Sequence, residues 1–140
     1  MIVLDTNVLS EMMKKDPDQC VLRWLDRLDE AQLFTTAVTV AELKYGIAAK
    51  PNGKKKEALE SIYHELFNRW FKSKILPFNV AAADIYGAIT AKRNQLGHPI
   101  SIMDAQIASI CIANGATLAT RNTKDFGELD LDTINPWQKA

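Results

Sequence analysis

The chain opens on Ile2, Val3 and Leu4, three apolar residues that run without alternation into Asp5, Thr6 and Asn7. An unalternated apolar run suits a strand covered on both faces, so this opening predicts a buried strand of a parallel sheet with helices on either side. Asp5 then stands at the strand's carboxyl end. Thr6 or Asn7 caps the next helix, because a short polar side chain there accepts a hydrogen bond from a free backbone N–H. In open α/β sheets that edge is where ligands bind. The competing reading is an Asp that only ends a strand, since Asp is common in such turns.

The rest of the sequence alternates short strand and longer helix signals. A helix to about Lys14 and a second helix capped at Asp16–Asp18 precede a strand at Leu33–Thr36. Thr39 and Glu42 form a capping-box pattern, which places Glu42 in a first helical turn. Gly46 to Gly53 breaks the chain before a long amphipathic helix at about Lys54–Phe71. Its stripe, Leu59, Ile62, Tyr63, Leu66, Phe67, Trp70 and Phe71, packs on the core or meets a partner, and spacing leaves both readings open. A brief strand at Ile75 and Leu76 and a helix from Asn79 to about Leu96 follow. Ser101 and Asp104 repeat the capping pattern before a helix that stops at Asn114 and Gly115. Ala116–Thr120 reads as a strand, followed by the polar cluster Arg121 to Asp125, and a last short strand lies around Thr133 and Ile134.

A chain of 140 residues is one domain's worth, 1–140, with a single core and no interdomain linker. Its 17 basic and 17 acidic residues cancel, so a nucleic-acid partner has to be held by a local patch and not by a global positive field. Cys20 and Cys111 are far apart, lack metal-type spacing and sit among apolar neighbours, which reads as two buried free thiols in a reducing cytoplasm. No apolar run approaches membrane-spanning length, and no signal-peptide core is present, so the expectation is a cytoplasmic protein without a membrane partner.

Parallel topology gathers distant residues. A crossover helix begins at the carboxyl edge of the sheet, so Asp5, Glu42 and Asp104 should face one crevice together with Asn122 and Asp125. Several carboxylates in one crevice raise each other's pKa unless a cation sits between them. A hard divalent ion, Mg²⁺ or Mn²⁺, takes oxygen ligands and commonly bridges carboxylates to a phosphate. The chemistry implied is hydrolysis of a phosphodiester by a metal-activated water. Each capping pattern by itself is also an ordinary way to start a helix. Lys44, Arg121 and Lys124 flank the expected crevice as candidates for phosphate contact, while His64 and His98 read as surface residues rather than an acid–base pair. Without such a pair, products with a 5′-phosphate and a 3′-hydroxyl are expected.

Five stretches carry a resemblance: LDTNVLSE (Leu4 to Glu11), TVAELKYG (Thr39 to Gly46), SIMDAQIASICIANG (Ser101 to Gly115), TLATRNTKDF (Thr117 to Phe126) and NPW (Asn135 to Trp137). In this order and spacing the chain resembles the PIN-domain endoribonucleases, specifically the VapC-type toxins of bacterial toxin–antitoxin pairs, with FitB-like proteins as siblings. The resemblance implies a three-layer α/β/α fold around a mostly parallel twisted sheet, and a Mg²⁺- or Mn²⁺-dependent nuclease acting on RNA, typically tRNA or another structured RNA. Metal ligands carry over onto Asp5, Glu42 and Asp104. The fourth acidic position is divided between Asn122 and Asp125, and Thr6, Asn7, Thr39 and Thr120 look like groups that orient the ligands. The same resemblance implies a homodimer and a small antitoxin that covers the active site and brings DNA only indirectly. The stripe from Leu59 to Trp70, with Trp24 and Leu25, is where that partner's apolar anchors are expected.

Other readings have less support. A phosphatase forming an aspartyl-phosphate on Asp5 resembles DxD, and the third residue here is Asn7. A nucleotide-binding module would place a glycine-rich loop after the first strand, and none follows it. A PIN-type partner of a DNA-binding antitoxin, acting mainly in transcriptional regulation, is the remaining alternative.

Overall fold

The computed structural model describes residues 1–138. Five strands, β1 (Ile2–Leu4), β2 (Leu33–Thr36), β3 (Ile75–Leu76), β4 (Thr117–Ala119) and β5 (Thr133–Ile134), form one sheet in the order β3-β2-β1-β4-β5. All four pairings are parallel, with Ile2 opposite both Leu33 and Thr117. Six helices supply the crossovers: α1 (Thr6–Met12), α2 (Gln19–Asp26), α3 (Ala37–Ala48), α4 (Lys54–Trp70), α5 (Val80–Gln95) and α6 (Ile102–Ala113).

Strand alternation divides the core into two layers, one on each face of the sheet. Leu4 and Ala119 join Val8, Leu9, Val21, Leu43, Tyr63 and Phe67 beneath α1 to α4. Their neighbours Val3 and Leu118 point the other way, into Ala105, Ile107, Ala108 and Ile89 of α5 and α6. Both faces of β1 are therefore covered, which is why its residues run apolar without a break. The stripe of α4 divides in the same manner. Tyr63, Phe67 and Phe71 are buried in the first layer with Leu59, Leu66 and Trp70 against it, whereas Ile62 stays exposed.

The helix ends follow local chemistry. Gly97 and Gly115 take positive φ (77° and 62°) just past α5 and α6. There His98 N–H returns to the Arg93 carbonyl and Ala116 N–H to that of Cys111, closing a six-to-one bond at each C-terminus. Three expectations shift. Asp5 itself caps α1, accepting from Thr6 N–H, so neither Thr6 nor Asn7 does. Thr36 caps α3 through its bond from Thr39 N–H, so α3 begins at Ala37, runs on through Gly46 to Ala48, and carries Glu42 in its second turn. Cys111 is buried but Cys20 only half so. Among the described residues no helix is long and apolar enough to cross a membrane.

Candidate active site

The strand order turns at β1: β2 and β3 lie on one side of it, β4 and β5 on the other. At such a switch point the adjoining connections leave in opposite directions and a crevice opens at the carboxyl ends of the strands. A cleft of about 450 Å³ lies there, lined by Asp5, Thr6, Asn7, Ser10, Glu11, Lys14, Glu42, Asp104, Arg121, Asn122 and Trp137. Three carboxylates that the sequence separates by 37 and 62 residues thus share one opening.

Asp5 is its centre and its most buried acid, 5% exposed. Thr120 Oγ1 donates to Oδ2 and Thr6 N–H to Oδ1, each at 2.8 Å. Burial nevertheless lifts its pKa to about 6, against the pull of those two bonds, and the charges of Asp104 and Glu42 add to the rise. Thr6 serves both acids, because its hydroxyl donates to Glu42 Oε1 at 2.8 Å and lies 3.2 Å from Thr39 Oγ1. Asp104 sits in the first turn of α6, where Ser101 Oγ accepts its N–H and the helix dipole favours the anion. Its pKa is held above the ordinary range, chiefly by burial and also by the charge of Asp125. Glu42 has no such helix-end support, being a turn further into α3.

Thr120 ties the far wall together. It is fully buried, its hydroxyl accepts from Asn7 Nδ2 at 3.3 Å and from Asn122 N–H at 3.1 Å, and Asn7 Oδ1 accepts from Arg121 N–H at 3.2 Å. No Lys or Arg forms a salt bridge with Asp5, Glu42 or Asp104 among the described residues. The donor set is carboxylate, hydroxyl and amide oxygen, the chemistry of a hard divalent cation. No three His, Cys, Asp or Glu side chains among the described residues stand close enough to hold one ion by themselves, so an ion here would need water to complete its shell.

Residues 2–131 match the PIN domain. The chain belongs to the PIN-domain family. Among the relatives of this PIN domain, the VapC ribonuclease Y4jK of Sinorhizobium fredii is 39% identical over 140 residues, all of both chains. Toxin FitB of Neisseria gonorrhoeae is 39% identical over 137 residues, 98% of this chain and 99% of its own. The solved structure of FitAB bound to the IR36 DNA fragment superposes with a TM-score of 0.93 at 37% identity, covering 100% of this chain and 98% of the other. VapBC2 of Rickettsia felis, bound to a DNA fragment from its promoter, gives a TM-score of 0.79 at 31% identity over 96% and 98%. The α/β/α architecture implied by the five sequence stretches is the one observed.

Within the PIN domain the residues singled out from sequence fall into two groups. Asp5, Thr6, Asn7, Glu42, Asp104, Arg121 and Asn122 line the cleft, with Thr39 and Thr120 bonded directly behind them. Asp125 is exposed in the 3₁₀ turn Thr123–Phe126 and acts on the cleft only through its charge beside Asp104. Lys124, in the same turn, is exposed and outside the lining. Lys44 does not flank the cleft at all: its ammonium lies over the Tyr63 ring, 4.4 Å from the centroid, in a separate depression with Lys56, Glu60 and His64. Two residues along a helix is about 200°, which turns Lys44 away from Glu42.

Glu11 and Trp137 line the cleft without having been predicted to. Glu11 is 6% exposed, accepts from Lys14 Nζ and from Asp18 N–H at 3.0 Å each, and is held below the usual carboxylate range chiefly by Lys14. Its position in the second turn of the helix that Asp5 caps was the available signal.

Proposed function

We propose that this chain is an endoribonuclease, the toxin of a toxin–antitoxin pair, and that it hydrolyses RNA with Mg²⁺ or Mn²⁺ held by Asp5, Glu42 and Asp104 together with bound water. Kinship over the full chain with a VapC ribonuclease and with toxin FitB supports the activity. The observation that carries the metal is Asp5, a buried carboxylate at the switch point whose two acidic neighbours make its ionisation harder and which forms no salt bridge among the described residues. A divalent cation relieves that repulsion. When bound, it supplies an acidified water and neutralises charge on the phosphate under attack.

The chain's own residues do the rest. Thr120 and the Thr6 amide fix both oxygens of Asp5, and the Thr6 hydroxyl aims Glu42, so the carboxylates are oriented before any ligand arrives. Asn122 presents an amide from the opposite wall, and Asp125 reinforces the negative field at Asp104. His64 is exposed and His98 pairs with Glu128 at 2.6 Å, so neither serves as acid or base in the cleft. Water attack leaving a 5′-phosphate follows, with structured RNA such as tRNA as the substrate class. A homodimer and a small antitoxin covering the cleft complete the reading.

Antitoxin-free protein incubated with total RNA tests it. Fragments carrying 5′-phosphates should form with Mg²⁺ or Mn²⁺, vanish in EDTA, and vanish in Asp5→Asn and Asp104→Asn. Intact RNA under every metal tried would refute cleavage. It would favour the second reading, a PIN-fold partner of a DNA-binding antitoxin, to which the DNA-bound complexes of two structural relatives lend weight.

A further inference from the structure

The cleft has one aromatic side chain among its described lining residues, Trp137, and nothing in the hydrolytic chemistry uses it. Trp137 is held at its backbone and at its ring. It packs against the core layer beneath α1 to α4, its backbone N–H donates to Asn135 Oδ1 at 2.9 Å, and the Arg121 guanidinium lies over the ring, 5.0 Å from its centroid. Arg121 is itself fixed to the site. Its N–H donates to Asn7 Oδ1 at 3.2 Å, and its carbonyl accepts from Asn135 Nδ2 at 3.4 Å. An indole with a guanidinium over its ring therefore stands in the same opening as Asp5 and Asn122.

Carboxylates and a metal ion recognise the phosphate of any nucleotide, so they give no purchase on a base. Proteins that act on unpaired RNA hold splayed bases against aromatic rings and Arg guanidinium planes. On the ribonuclease reading given above, we infer that Trp137 and Arg121 form a stacking platform for one unpaired nucleobase adjacent to the scissile phosphate. Trp137 is then a positioning residue that selects single-stranded RNA. The Arg121 guanidinium, lying over the indole, takes the base on its outer face and offers its charge to the backbone phosphate.

The test is binding of a short fluorescein-labelled single-stranded RNA, measured by anisotropy in EDTA with the full chain. Trp137→Ala should bind about one to two orders of magnitude more weakly, as loss of one base stack requires. Its dependence on salt should be unaltered, because no phosphate contact is removed. Trp137→Phe should retain most of the affinity, and the indole quenching that RNA causes in the wild type should be smaller in it. Arg121→Ala should weaken binding and also flatten the salt dependence. A Trp137→Ala chain that melts like the wild type and binds RNA equally well would overturn the inference. So would a Trp137→Phe chain that shows the full wild-type quenching, or one that falls with Trp137→Ala while keeping its fold. Failure of the wild type to cut total RNA with Mn²⁺ is a separate result and bears on the ribonuclease reading alone.

Discussion

Thr120 Oγ1 donates a 2.8 Å hydrogen bond to Asp5 Oδ2 across 115 residues of sequence, inside a site where both residues are buried. The same hydroxyl oxygen accepts from Asn7 and from Asn122, so one side chain joins the carboxyl ends of β1 and β4. Thr120→Val keeps the shape and removes every one of these bonds. Asp5 then loses the strongest influence opposing its raised pKa. Stability should fall by about 1–3 kcal/mol, the cost of leaving buried groups unpaired. The acid limb of the cleavage profile should move to higher pH, read as rate against pH in Mn²⁺.

Asp5 makes the protein less stable at neutral pH in the absence of metal. Its pKa is raised from 3.8 to about 6, so the folded state holds this proton more tightly than the unfolded chain. The group's contribution is intact below about pH 4, is lost as pH rises towards 6, and is constant above that. Asp5→Asn should therefore be the more stable protein at pH 7 in EDTA, by about 3 kcal/mol, and should lose that advantage near pH 4. Urea denaturation of both proteins at the two pH values checks the sign. Mg²⁺ or Mn²⁺ should stabilise the wild type and leave Asp5→Asn nearly unmoved.

Arg93 is 7% exposed and faces carbonyls, not acids: Nε donates to His98 O at 2.6 Å, and Nη1 to Asp125 O and Gly127 O at 2.9 and 3.0 Å. It pins the loop that carries Asn122 and Asp125 to the end of α5. Arg93→Met should cost about 3 kcal/mol by stranding those carbonyls. Arg93→Lys should recover only part of it, since an ammonium does not reproduce the planar fork. Thermal denaturation of the three proteins is sufficient.

Lys44→Ala should leave RNA cleavage and its salt dependence unchanged, because the side chain stacks on Tyr63 outside the cleft. Its expected cost is about 0.5–1 kcal/mol of stability, an exposed cation–π contact. A reduced salt slope in RNA binding would restore Lys44 to the substrate path.

Much of this arrangement was legible in the residues themselves. Ile2 to Leu4 running into Asp5 announces a doubly covered strand with an acid at its end, and Ser101 with Asp104 announces the start of α6. Thr39 with Glu42 reads as a capping box, and the spacing does not show that β2 already ends at Thr36. Thr36 wins because β2 ends on it, which moves Glu42 from the first turn to the second. Glu11 was not singled out, because only the tertiary fold buries this acid while leaving Lys14, its partner three residues on, exposed. Trp137 belongs to a stretch whose resemblance was plain but whose role depends on where β5 delivers it.

The placement of β1 in the middle of the sheet has a bearing on synthesis. β1 has its two neighbours encoded at residues 33–36 and 117–119, so during synthesis its second edge stays open long after the first can be paired. Asp5 is translated 115 residues ahead of Thr120, whose hydroxyl orients it. Until β4 is in place, Asp5 and Glu42 exist without the residue that joins the two walls of their pocket.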